Sequence, residues 1–157
     1  MAELNEKQRE AYQRAAALCS RSERSSGSIL QKLHDWGLMV DEAEMVLERL
    51  VAEKFQDDDR FARSYVRDKF RFNKWGRVKI AHHLRAEKVS PAIIEQALGE
   101  IEDDNYRETL ARLLEEKNKN TRAANQYDRK AKLFRFAQSR GFEADLIYAA
   151  FDELERD

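Results

Sequence analysis

Helix breakers and cross-links are scarce here: one proline, five glycines and one cysteine among 157 residues. So little punctuation in a chain rich in helix formers argues against a turn-rich β fold and for an all-α one. Lone Cys19 excludes an intrachain disulfide, and buried it behaves as a small hydrophobe. No apolar run approaches the roughly 18 residues of a membrane span, and the start MAELNEKQRE lacks a signal-peptide pattern. A soluble, cytoplasmic protein with no membrane contact is the expectation. Missing too are a glycine-rich phosphate loop and a G-x-S-x-G elbow. Asp57-Asp58-Asp59 with His82-His83 superficially suggests a metal site. Adjacent histidines point about 100° apart on a helix, however, and no H-x-x-x-H or D-x-D/E-x-K set accompanies them. The reading is therefore no enzyme, no cofactor and no metal. With a net charge of −1 there is no global attraction to nucleic acid, so any such binding must be local.

Locally, charge is strongly patterned. Residues 40–59 hold eight acids and two bases, whereas residues 60–88 hold ten bases and two acids. The alternation continues: 95–116 is acidic, 117–140 basic, 143–157 acidic. Triple aspartate 57–59 suits a helix start, where a side-chain oxygen accepts from free backbone N–H groups. On the uninterrupted helix expected over Arg60–Asn73, Arg60, Arg63, Arg67, Arg71 and Lys74 share an arc of about 80°. Phe61, Tyr65 and Phe72 cluster on the other side, within about 40°, as the expected apolar face. Lys69 projects from that side and must snorkel. The stripe lacks the i,i+4 acids of a solvated helix, which favours a phosphate backbone or an acidic protein groove as its counterpart. Five phosphate contacts would give a log–log salt slope of roughly −3.5 on single strands. After the Trp75-Gly76 turn, Arg77 and Lys79 continue the basic run on a second helix; the C-terminal basic block adds Arg129, Lys132 and Arg135. Trp36 and Trp75, each beside glycine at a junction, read as core or hinge packing first and base stacking second.

Nine helices are expected in all. Asp41 with Glu44 has capping-box spacing for the third, and Ser90-Pro91 is a clear start for the sixth. Residues 117–126 read as a loop or a frayed helix start. Leu38, Val89 and Phe142 each follow a helix and precede a capped short one, with Leu33, Leu84 and Ala137 five residues before them. At spacings of 51 and 53 residues this is a weak internal repeat of one three-helix unit. The expected architecture is a tandem array of three such repeats, elongated and curved: residues 1–56, 57–101 with the basic helix, and 102–157.

Two stretches also carry a resemblance. Phe55-Gln56-Asp57-Asp58-Asp59-Arg60-Phe61-Ala62 with Trp75-Gly76-Arg77-Val78-Lys79-Ile80, and Lys132 through Phe142 (KLFRFAQSRGF), resemble the two signatures of the RecX family. The likeness runs from about Tyr12 to Leu154. That family has glycine or a small residue where Lys54 stands, a Lys-Gly-Ile turn at Lys88-Val89, and often Lys-Gly where this chain has Lys74-Trp75-Gly76. The resemblance implies a bacterial regulator, inhibitory in sense, that binds in the groove of the RecA–DNA filament and alters its ATPase and strand exchange. It implies a RecA filament as partner, with weak, salt-dependent contact to single-stranded DNA and a monomeric chain. The ten cations named above would then face phosphate or filament. The competing reading is a stand-alone DNA-binding helical module, since three-helix units with a basic helix resemble helix-turn-helix folds. Acidic blocks at alternate helices favour the former, because they can meet basic protein patches.

Overall fold

The computed structural model describes residues 3–156, and among them nine α-helices and no strand form. They are α1 (Glu6–Arg21), α2 (Ser26–Asp35), α3 (Val40–Ala52), α4 (Asp58–Arg71), α5 (Arg77–Ala86), α6 (Pro91–Leu98), α7 (Asp103–Lys119), α8 (Gln126–Ser139) and α9 (Ala144–Arg156). The all-α expectation holds. The ambiguous stretch resolves into the last turn of α7 and a short loop. There Asn125 accepts from the Asp128 N–H at 2.8 Å and Asp128 accepts from the Ala124 N–H at 3.0 Å. That backbone bond, with Lys132 adding to it, holds the Asp128 carboxyl below its ordinary range.

Helix starts follow capping chemistry, with one correction. Asn5 and Gln8 form a reciprocal box on α1, and the Ser25 hydroxyl accepts from the Ser28 N–H on α2. On α3 the box is not Asp41–Glu44. The helix begins at Val40, so Glu42 occupies the third position and its carboxylate accepts from the Met39 N–H at 3.0 Å. The three aspartates divide their labour. Asp57 accepts from the Arg60 N–H at 3.1 Å, Asp58 accepts from the Ser26 N–H and hydroxyl at 2.8 and 2.7 Å, and Asp59 pairs with Arg63 at 2.8 Å.

Helix ends use one device four times. The N–H groups of Leu38, Phe55, Val89 and Phe142 bond the carbonyls of Leu33, Leu50, Leu84 and Ala137, at 2.9–3.2 Å. The residue before each is left-handed: Gly37 (φ 95), Lys54 (φ 65), Lys88 (φ 68) and Gly141 (φ 96). This is the Schellman closure, and it gives the five-residue spacing of the internal repeat its physical cause. Lysine at φ near 65° suffers the Cβ–carbonyl crowding that glycine avoids, about 1–2 kcal/mol, partly offset by glycine's greater backbone entropy in the unfolded chain. Lys54→Gly should therefore raise unfolding stability by about 0.5 kcal/mol in a denaturant titration; a loss of stability would show the lysine to be held by side-chain contacts.

Contacts divide the chain into two compact units: one runs to Tyr65 and includes Leu84–Ala97, the other comprises Val66–His83 and everything from Leu98 onward. In the first, α1, α2 and α3 pack together over Ile29, Leu33, Val46 and Leu50, with Cys19 buried among them. In the second, α7, α8 and α9 pack together, and Tyr106, Leu110, Leu114, Phe142 and Ile147 are buried.

The apolar face of α4 is not the aromatic one. Its buried seam is Ala62, Val66 and Phe70, whereas Phe72, beyond the helix end, is 73% exposed. Phe61 and Tyr65 pack on each other, ring centroids 5.7 Å apart, at half-buried positions. Residues 62, 66 and 70 lie one turn apart in a straight row, which a neighbouring element can cover; bulk in the aromatic row carries no such guarantee.

Candidate functional site

The basic stripe of α4 is not uniform. Arg60, in the first unit, is held by Glu23 in an ion pair and donates to the Lys54 and Phe55 carbonyls at 3.2 Å. Its guanidinium therefore holds its proton above the ordinary range, Glu23 being the main cause. Arg63 has an i−4 acid after all, Asp59, because the helix starts earlier than Arg60 and brings Asp59 onto the same face.

The second unit holds the rest of the stripe. There Arg67, Arg71 and Lys74 border a cleft of about 400 Å³ whose apolar lining comes from Val66, Phe70 and Ile101. Arg112, from the middle of an acidic block, joins them from α7, where Glu108 pairs with it. Glu100 and Glu102 also line the cleft, so four cations meet two carboxylates. Lys74 is itself left-handed (φ 57) and donates to the Arg71 carbonyl at 2.7 Å, which turns it toward the stripe. No periodicity within one helix could have selected Arg112. Its membership depends on the packing of α7 beside α4 within this unit.

Other nominated cations serve the fold. Arg77 stacks over the Tyr106 ring at 3.8 Å and pairs with Glu143 at 3.0 Å and Asp103 at 2.8 Å. The Tyr106 hydroxyl donates to Glu143 and accepts the Arg77 N–H at 2.9 Å. Arg129 donates to Asn118 and the Thr121 carbonyl, closing the α7–α8 loop, while Lys132 donates to the Arg122 carbonyl and pairs with Asp128. Lys79 lies over the Trp75 ring at 4.4 Å, with Lys69 over it at 4.9 Å and His83 4.8 Å away. Trp75 thus packs at its junction, and Lys69 snorkels past it. Trp36 is covered likewise by Arg14 at 4.0 Å. Arg135 is exposed and lines a second cleft between α8 and α9.

Burial and the Glu143 hydrogen bond push the Tyr106 phenol far above its ordinary value; burial and Glu53 push Tyr12 to about 12. Both keep their proton in the folded chain where an unfolded phenol, near pH 10, has begun to lose it. Stability is therefore full below about pH 10 and falls as pH rises beyond it. Denaturant titrations at about pH 9 and about pH 11 should show that fall in the parent and a shallower one in Tyr106→Phe. The variant should also lose about 1 kcal/mol at pH 7, because the half-buried Arg77 N–H loses its acceptor. Equal pH dependence in the two would remove Tyr106 as a cause.

Among the described residues no group of three or more His, Cys, Asp or Glu is placed to hold a metal, and no helix is long and apolar enough to cross a membrane. Models of the first, second and third three-helix domains of RecX match residues 11–50, 57–98 and 104–151. The chain belongs to the RecX family. A RecX regulatory protein of Prosthecochloris aestuarii is 33% identical over 146 residues, covering 93% of this chain and 94% of its own. One from Chromobacterium violaceum is 33% identical over 139 residues, 85% and 84% of the two chains. One from Lactobacillus johnsonii is 26% identical over 145 residues; this chain spans only 54% of that relative's length. The fold is also similar to the crystal structure of RecX from Lactobacillus salivarius, with TM-score 0.85, 21% identity and coverage of 96% and 98%. RecX proteins are regulators, and three tandem three-helix domains are this chain's architecture.

Proposed function

We propose that this RecX-family protein regulates the RecA recombinase, in the inhibitory sense, by lodging in the groove of the RecA–DNA filament and lowering its ATP turnover and strand exchange. The observation that carries the reading is the cleft of Arg67, Arg71, Lys74 and Arg112. It presents convergent cations over an apolar lining, with the carboxylates of Glu100 and Glu102 in the same lining. Such mixed charge suits a surface made of phosphate and protein together better than bare duplex. Single-stranded DNA is the weaker, salt-dependent contact, and filament affinity exceeds it because linked contacts act at high effective concentration.

The test is to titrate the full chain against RecA filaments and against bare strand, reading anisotropy and ATP hydrolysis. Tighter filament binding with falling ATP turnover is the expected result. Equal affinity for both targets with turnover unchanged would reject filament regulation and leave a DNA-binding module. Point variants serve better than a cut after Gly99, because the second unit combines Val66–His83 with everything from Leu98 onward.

A further inference from the structure

The second cleft of the second unit has no part in the cationic site. About 460 Å³ in volume, it is walled by one face of α8 and one of α9. Tyr127, Lys130, Ala131, Phe134 and Arg135 recur at helical spacing on α8 and face Tyr148, Phe151 and Asp152 of α9. Two of its phenols are strongly exposed, Tyr127 at 84% and Tyr148 at 59%. Exposing two large rings over one cleft is costly unless something covers them.

We propose that this cleft holds unpaired nucleobases of a single strand by stacking, with Arg135 on an adjoining phosphate. Three observations select that occupant. The apolar lining is four aromatic rings and one alanine, with no branched aliphatic side chain, so it offers flat π faces rather than a socket for a leucine-like anchor. Phe134 and Tyr148 are already stacked, centroids 5.0 Å apart and planes 27° apart, so a base can extend an existing stack over the exposed phenol. Lys130 is occupied by Glu155, which leaves Arg135 and Asp152 as the charged lining groups without an ion pair among the described residues. Arg135 stands on the basic α8 wall, where a backbone would pass while the bases enter between the helices.

This deepens the reading that single-stranded DNA is one partner, and the experiment separates the two. A labelled oligothymidylate of about twelve nucleotides and an abasic strand with the same number of phosphates are titrated against the parent and against Tyr127→Leu/Tyr148→Leu. Leucine keeps apolar bulk and removes the π face, and an unchanged denaturation midpoint confirms that the variant folds. The parent should bind the thymidylate about tenfold tighter than the abasic strand, with tyrosine fluorescence quenched by the former alone. In the variant that ratio should collapse toward one while abasic affinity stays put. A parent without base preference overturns the proposal. So does a variant that keeps the preference, or one that loses RecA-filament binding while thymidylate binding persists, which would make the cleft a protein-docking groove. Base preference in a chain that ignores RecA filaments would sustain this inference and reject the regulatory one.

Discussion

Changing Arg67, Arg71 and Lys74 together to glutamate should weaken binding to single-stranded DNA and RecA filaments by about a hundredfold or more, with helix content and unfolding midpoint nearly unchanged. Each exposed cation lies in high dielectric, where one contact at about 4 Å is worth roughly 1 kcal/mol; three contacts are about 3 kcal/mol, or two decades of affinity. Arg67 and Arg71 are exposed on α4, so their replacement touches no core. Salt dependence gives the sharper readout. Arg60, Arg63 and Arg112 are engaged by Glu23, Asp59 and Glu108, so three contacts rather than five are expected. The log–log slope on single strands should be about −2.1 in the parent and near zero in the triple variant. A parent slope near −3.5 would mean that the whole α4 stripe acts; an unaltered slope in the variant would reduce the stripe to a solvated face.

Gly76→Ala should be the most damaging small substitution, costing about 3 kcal/mol or more. The Gly76 N–H donates to the Arg140 carbonyl at 2.7 Å and the Val78 N–H to that of Gly141 at 3.0 Å, so two chain segments meet backbone to backbone. A Cβ at position 76 would fall on the Gly141 carbonyl and within 2.6 Å of the Phe142 N. Backbone cannot swing aside as a side-chain tip can, so relief requires breaking these hydrogen bonds and shifting buried Phe142. Gly141→Ala meets the same crossing, its Cβ 2.6 Å from the Lys79 N, and adds the strain of φ 96. Gly27→Ala provides a comparison inside the first unit, its Cβ 2.6 Å from the Glu87 carbonyl oxygen. Midpoints from thermal or denaturant unfolding check all three. A cost below about 1 kcal/mol at Gly76 would show that the crossing yields.

Much of this was legible in the chain because it is local. Helix identity follows from the near absence of breakers, and the repeat from residues five apart that close the same left-handed cap at Leu38, Val89 and Phe142. What misled was phase read on one helix alone. Phe61, Tyr65 and Phe72 are a coherent row, yet Ala62, Val66 and Phe70 are the row that is covered. Glu42 rather than Glu44 reaches back to its cap because a two-residue change in helix start moves every capping position. Arg77 shares composition with the stripe, but Tyr106, Glu143 and Asp103 surround it in space from positions 26–66 residues distant.

The sequence by itself determined nine helices and the recurring closure of their ends, since these rest on hydrogen bonds and periodicities spanning about one turn, and its two motif stretches carried the family resemblance. Tertiary structure alone decided which cations converge. Arg112 stands beside Arg67 and Arg71 only through the packing of α7 against that end of α4, just as Tyr127 and Tyr148 share a cleft only because α8 and α9 pair. Side chains far apart in the chain acquire a common field, or a common stacking surface, when buried seams on their opposite faces are brought together, and no local spacing records that distance.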